Sequence, residues 1–204
     1  MMRIIGGASR GRRLRTAPGQ STRPTAARVR QSLFDVLARE IPGCRFLDAF
    51  AGSGGVGLEA LSRGASKVVL VDRSARAVAA ARENARALAG AGGEVEVFRQ
   101  EAQKALPALA DRGQRFDVVY LDPPYEEGPL YQPLIQLAGD RLLAEGGLVV
   151  AEHFKKRLLP ETIGALTRTR LLRVGDHCLS FYRRQGDAAC AGAGESDADE
   201  DQAP

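Results

Sequence analysis

No run of about 18 apolar residues occurs in this 204-residue chain, which excludes a membrane-spanning helix. The stretch Met1-Met2-Arg3-Ile4-Ile5-Gly6-Gly7 lacks the apolar core of a secretory signal, so a cytoplasmic protein without membrane contact is expected. Cysteine is scarce: Cys44, Cys178 and Cys190 are scattered, odd in number and without CxxC spacing. They offer neither a disulfide framework nor a zinc site and fit a reducing compartment. Histidine is scarcer, with only His153 and His177, so no metal cofactor is expected. What the chain does have is 44% apolar residues, enough to bury a core in one domain of ordinary size.

Lysine is also missing from the first 45 residues, where all basic charge is arginine. Ten arginines (Arg3, Arg10, Arg12, Arg13, Arg15, Arg23, Arg28, Arg30, Arg39, Arg45) face only Asp35 and Glu40, a local charge of +8. Guanidinium groups favour forked contacts to phosphate, so this arm reads as a sequence-blind nucleic-acid contact. The plainer alternative is a solvated arm in an Arg-rich composition. At the other end, Asp187, Glu195, Asp197, Asp199, Glu200 and Asp201 stand without a base. Setting these six acids aside raises the net charge from +4 for the chain to +10 for residues 1–186. The tail has little to bury and is expected to be disordered.

Between these ends, strands and helices alternate. Short strands are predicted at Arg3–Gly6 and Arg12–Arg15, then a helix after Arg23-Pro24-Thr25 with Val29, Leu33, Val36 and Leu37 at helical spacing. Strands follow at Phe46–Phe50, Lys67–Val71, Val95–Phe98, Phe116–Leu121 and Leu148–His153, with helices between them. Two closing strands near Arg168–Val174 and Cys178–Arg183 flank a Gly175-Asp176 turn. The pattern predicts an α/β fold: a doubly wound, mostly parallel seven-stranded sheet with an antiparallel C-terminal hairpin and a small N-terminal hairpin and helix.

Two places in this pattern carry chemistry. Asp48-Ala49-Phe50-Ala51-Gly52-Ser53-Gly54-Gly55-Val56-Gly57 leaves the first sheet strand, and Asp72 stands twenty residues after Gly52 at the tip of the second. Small residues let a sugar or phosphate approach the backbone, and the second acid accepts from ribose hydroxyls. A dinucleotide and S-adenosylmethionine both suit such a loop. Asp48 favours the latter, because it attracts a cationic ammonium and repels a pyrophosphate. Glu101, just past the third strand, reads as an adenine contact or as an acid favourable to a helix start. The second place is Asp122-Pro123-Pro124-Tyr125, after the apolar strand Phe116–Leu121. The prolines fix φ and lack an N–H, so this is a rigid ledge presenting a carboxylate, carbonyls and an aromatic face. Those groups suit a flat substrate with an exocyclic amine. His153 reads as a pocket residue or, more simply, as a satisfied structural histidine.

Together the two sites resemble class I S-adenosylmethionine-dependent methyltransferases with a DPPY motif, and the chain is similar in particular to the RsmD family. That closer likeness covers about residues 2–184. It rests on Arg3-Ile4-Ile5-Gly6-Gly7, Arg10-Gly11-Arg12, Arg23-Pro24-Thr25 with Arg28-Val29-Arg30, Leu47–Gly54, Gly57–Ala65 and Leu121–Tyr125. Ala27, Glu101 and Val174 depart from the family's usual residues. The resemblance implies methylation of a guanine N2 in bacterial 16S ribosomal RNA, on the small subunit or an assembly intermediate; a monomer is the default expectation. It implies catalysis by Asp122, Pro123, Pro124 and Tyr125. Cofactor contacts are implied at Asp48, Phe50, Gly52, Gly54, Gly57, Asp72, Arg73, Glu101 and Ala102, and RNA contacts at Arg3, Arg10, Arg12, Arg13, Arg23, Arg28 and Arg30. Residues 1–43 then form the RNA-contacting extension, 44–185 the methyltransferase domain and 186–204 the tail. An adenine-N6 methyltransferase, a nicotinamide oxidoreductase and a non-catalytic RNA-binding protein are the alternatives.

Overall fold

The computed structural model describes residues 2–16, 24–124 and 129–187; Arg23, Tyr125 and the acidic tail beyond Asp187 lie outside them. A two-stranded hairpin, β1 (Met2–Arg3) with β2 (Arg13–Leu14), precedes helix α1 (Pro24–Val36). Then follow β3 (Arg45–Asp48), α2 (Gly57–Ser62), β4 (Lys67–Asp72), α3 (Ala75–Ala87), β5 (Glu94–Arg99), α4 (Ala102–Asp111) and β6 (Phe116–Leu121). The chain closes with α5 (Tyr131–Arg141), β7 (Leu143–Phe154), β8 (Thr162–Ile163), β9 (Leu166–Val174) and β10 (His177–Arg184).

The main sheet runs β5-β4-β3-β6-β7-β10-β9-β8, parallel from β5 to β7 and antiparallel beyond. This is the doubly wound sheet expected, with one addition: the two-residue β8 makes an eighth, edge strand. Gly164, at φ 59°, turns the chain so that Ile163 pairs with Leu166. Two residues are too few to show a strand's period in the sequence. Alternate strand residues feed two separate cores, as a sheet covered on both faces requires. Phe46, Val68, Leu70, Val118 and Val150 pack with Leu33, Phe34, Leu58 and Leu61 from α1 and α2. On the opposite face Leu47, Val69, Val119 and Val149 pack with Leu106, Leu134 and Ile135 from α4 and α5. The strand order reverses between β3 and β6, which opens a crevice at the carboxyl ends of those strands.

The N-terminal segment is fastened to this sheet by buried polar groups. Glu59 of α2 is fully buried, and its two oxygens accept from the Ile5 and Gly6 N–H groups at 2.7 Å each. The Arg63 guanidinium donates to the same carboxylate at 2.9 Å. Ser62 bonds the Gly6 carbonyl and the Ser9 N–H, while Asn84 of α3 bonds both backbone groups of Arg15 and the Ser53 carbonyl. The approach is so close at Gly7, which has φ 76°, that a Cβ there would lie 1.8 Å from the Ser62 carbonyl oxygen. Replacing Glu59 with Ala strands two backbone donors and an arginine. It is expected to lower unfolding free energy by about 3–5 kcal/mol in urea titrations; a loss under about 1 kcal/mol would contradict the clamp.

Candidate active site

Two cavities of about 440 and 410 Å³ open side by side at the crevice. The first lies under the N-terminal segment, with Met2, Arg3, Arg30, Asp48, Tyr120 and Glu152 in its wall. The second lies over the tips of β4 and β5, with Asp72, Arg73, Gln100, Glu101, Ala102 and Pro123 in its wall. Phe50, Gly52 and Asp122 line both, so the two are lobes of one site that meet at Asp122.

The sheet register explains this convergence. Asp48 pairs with Tyr120 across β3 and β6, and Leu121 pairs with Ala151 across β6 and β7, which brings Asp122 beside Glu152. Residues two apart on a strand share a face, so Tyr120 and Asp122 point the same way. Burial, then the Glu152 and Asp48 charges, hold the Asp122 carboxyl well above the usual carboxylate range. Asp48 is 1% exposed; one oxygen accepts from the Gly57 N–H at 3.1 Å, and Oδ1 has no hydrogen-bond partner. Its burial outweighs the backbone bonds from Gly57 and Phe50 and pushes the carboxyl up to about 7.

The glycine loop divides its work. Gly52 lines both lobes and donates its N–H to Asp72 at 2.8 Å, while the other Asp72 oxygen takes the Ser74 N–H at 2.7 Å. Asp72 therefore shapes the loop from the wall of the second lobe. Gly57 packs α2 onto β4, since a Cβ there would sit 2.3 Å from Leu70 Cδ2. Gly54 and Gly57 are absent from the lining of either lobe. Glu101 stands at the N-cap of α4 without a side-chain bond to the helix backbone, and its carboxylate pairs with Lys104 of that helix at 3.2 Å.

On the ledge, the Tyr131 hydroxyl lies 2.8 Å from the Glu152 carbonyl and 3.4 Å from the Pro123 carbonyl. Its single proton goes to the nearer acceptor, which leaves the Pro123 oxygen able to accept from a ligand. Pro124 is exposed, and Tyr125 lies outside the described residues.

Of the arm arginines, Arg3, Arg10, Arg12, Arg13 and Arg28 are exposed. Arg30 differs from them: it is 8% exposed, donates to the Arg3 carbonyl at 2.7 Å and lies 3.8 Å from Glu59. Desolvation accordingly lowers its pKa. It is a buried strut in the first lobe's wall, because α1 packs on the sheet through that side. His153 takes the structural alternative: its ring bonds Ser180 Oγ at 2.9 Å and the Phe154 carbonyl at 3.0 Å, away from both lobes. Sequence reasoning missed Tyr120 and Glu152. The Tyr120 hydroxyl donates to one Glu152 oxygen, and His177 Nδ1 lies 2.8 Å from the other. The period of two before Asp122 is the signal that points to Tyr120. Among the described residues no group of three or more His, Cys, Asp or Glu is arranged to hold a metal ion.

The folded Asp48 carboxyl binds its proton more tightly than an unfolded one, so its contribution to stability is lost as pH rises from about 4 toward 7. Asp48→Asn is therefore expected to gain a few kcal/mol on the native protein across that window, in urea titrations at stepped pH. Parallel curves for the two proteins would contradict this reading.

Comparison with known proteins matches residues 2–183 to the family described as Conserved hypothetical protein 95. YlbH of Bacillus subtilis (strain 168) is 40% identical over 185 residues, 91% of this chain and 100% of that protein. Ribosomal RNA small subunit methyltransferase D of Escherichia coli (strain K12) is 35% identical over 198 residues, 97% of this chain and 94% of that one. The solved structure of Escherichia coli yhhF superposes with a TM-score of 0.76 at 32% identity, covering 90% of this chain and 97% of that one. The resemblance read from the motifs is borne out: the chain belongs to this family, the RsmD family.

Proposed function

We propose that this protein transfers a methyl group from S-adenosylmethionine to the exocyclic N2 of a guanine in 16S ribosomal RNA. The observation that carries the reading is the junction of the two lobes at Asp122, where a methyl donor and an amine acceptor can meet. The relatives named as ribosomal RNA methyltransferases support the substrate class.

The residues fit the cofactor. Asp48 offers a buried oxygen without a partner, suited to the ammonium of an amino-acid moiety. Asp72, Glu101 and Ala102 wall the second lobe where a nucleoside would lie, and Phe50 and Gly52 bridge toward Asp122. When bound, S-adenosylmethionine supplies a methyl carbon made electrophilic by its sulfonium and leaves as S-adenosylhomocysteine.

The chain's own residues handle the acceptor. The guanine N2 lone pair is delocalised into the ring, so the amine is a poor nucleophile. Asp122 and the Pro123 carbonyl accept its two hydrogens, turn the nitrogen and localise the lone pair toward the methyl. Tyr125 stacks on the base in this reading. Positioning of this kind is worth at most about 7–11 kcal/mol. The proton lost from N2 needs no strong base, because it leaves after the new N–C bond has formed.

The exposed Arg3, Arg10, Arg12, Arg13 and Arg28, with Arg23, supply phosphate contacts, and Arg3 carries that charge to the rim of the first lobe. The base reaches the site unpaired or flipped out of its stack. The reading places the enzyme in the cytoplasm as a monomer, with residues 1–43 as RNA-contacting extension. Asp122→Ala is expected to retain S-adenosylhomocysteine binding while losing methyl incorporation into small-subunit RNA by on the order of 10³-fold. Digestion of the product to nucleosides is expected to give N2-methylguanosine. Near-normal turnover by the variant, or N6-methyladenosine as the product, overturns the assignment.

A further inference from the structure

We infer that Glu152 is a specificity-determining residue, whose carboxylate accepts the N1–H of the target guanine beside the amine held by Asp122. The inference rests on the N2-guanine reading and adds to it the reason other amino-bearing bases are refused.

Asp122 follows β6 one residue past Leu121, whose register partner on β7 is Ala151, so it stands beside Glu152, and both line the first lobe. Glu152 is 8% exposed, so its open side is the cavity itself. Among the described residues, the Tyr120 hydroxyl donates to Oε2, and His177 Nδ1 lies 2.8 Å from Oε1. Each carboxylate oxygen accepts two hydrogen bonds, so capacity remains on both. The Tyr120 contact also fixes the carboxylate against rotation, which makes it a placed acceptor.

The bases differ in what they offer to such a pair. Guanine presents N2–H₂ and N1–H side by side, a continuous row of donors. Adenine presents N6–H₂ beside the N1 lone pair, and cytosine presents N4–H₂ beside the N3 lone pair. One carboxylate gripping an amine accepts all three bases. A second carboxylate next to it accepts a further hydrogen from guanine and meets a lone pair on the other two. Two acceptors facing each other in a partly desolvated cavity are repulsive, and an unpaired buried polar group is the strongest basis for rejecting a near-isostere. The arrangement thus refuses adenine by chemistry, although the ledge of Asp122 and Pro123 would hold its amine equally well.

The test uses 2-aminopurine, which keeps the C2 amine and lacks the N1 hydrogen. Small-subunit RNA carrying guanine or 2-aminopurine at the methylated nucleotide is given to wild-type protein and to Glu152→Gln, and kcat/KM is measured for each. Intrinsic differences between the two amines cancel in the ratio of ratios. The glutamine amide can turn to donate to the unprotonated N1, so the wild-type preference for guanine is expected to shrink by about tenfold or more in the variant. A preference unchanged within about twofold overturns the inference, since a structural role for Glu152 would slow both substrates together. A crystal structure of wild-type protein with guanine-containing RNA and S-adenosylhomocysteine needs no variant. A Glu152 oxygen within hydrogen-bonding distance of guanine N1 supports the inference, and any other partner for N1 overturns it. Wild-type protein that forms no N2-methylguanosine brings down the functional reading instead, and the two failures are told apart by the product alone.

Discussion

The site is built around three carboxylates, Asp48, Asp122 and Glu152, which the parallel sheet forces together at the ends of β3, β6 and β7. Their Cα positions follow from strand register, and their side chains share one face. Burial raises the Asp48 and Asp122 carboxyls, and their charged neighbours raise them further. Arg30, the buried cation in the same wall, is committed to Glu59 and to the Arg3 carbonyl. A cavity held in this state favours ligands that bring cationic or hydrogen-donating groups. An amino-acid ammonium suits the unpartnered oxygen of Asp48, and an aromatic amine suits the Asp122 ledge. The same deficit that burdens the folded chain provides the recognition.

The N-terminal segment gives this acid cluster its roof. Without the fastening at Glu59, Ser62 and Asn84, the first lobe would be an open shelf at the sheet edge. The fastening uses backbone donors of Ile5, Gly6, Ser9 and Arg15, so it leaves most arginine side chains outside. A cationic surface and a carboxyl-lined pocket therefore lie on either side of one short segment. Phosphates can be held at the rim while the base enters a wall of acceptors. Electrostatic attraction to the backbone and discrimination at the base would then be separated in space, the division that the proposed function calls for.

Much of this was legible in the chain because its signals are local. The apolar run Val68–Val71 reads as a strand buried on both faces, and the spacing from Gly52 to Asp72 measures one β–α–β unit. Asp122-Pro123-Pro124 announces a strand that stops abruptly. Other features are illegible because their partners are distant. Glu59 followed by Arg63 reads as an ordinary exposed helix pair, yet Glu59 is sealed by backbone more than fifty residues earlier. Arg30 counts as one more arm charge until α1 is seen to turn it inward. Glu152 and Tyr120 lie on different strands, and only the pairing of β6 with β7 shows that they touch. Gly54 and Gly57 belong to the fingerprint, but their places show loop geometry and helix packing, with Gly52 alone of the three facing both lobes.

The measurement that tests the central claim most directly is the proton count of cofactor binding. Calorimetric titration of S-adenosylhomocysteine at pH 6, in two buffers of different ionisation enthalpy, reports protons released or taken up. At that pH the ligand's amine is already protonated and Asp48, at about 7, holds most of its proton. Binding of the ammonium is predicted to expel close to one proton per protein, about the protonated fraction of that carboxyl. Binding with no proton release would show that the acid cluster does not await a cation, and would contradict the account.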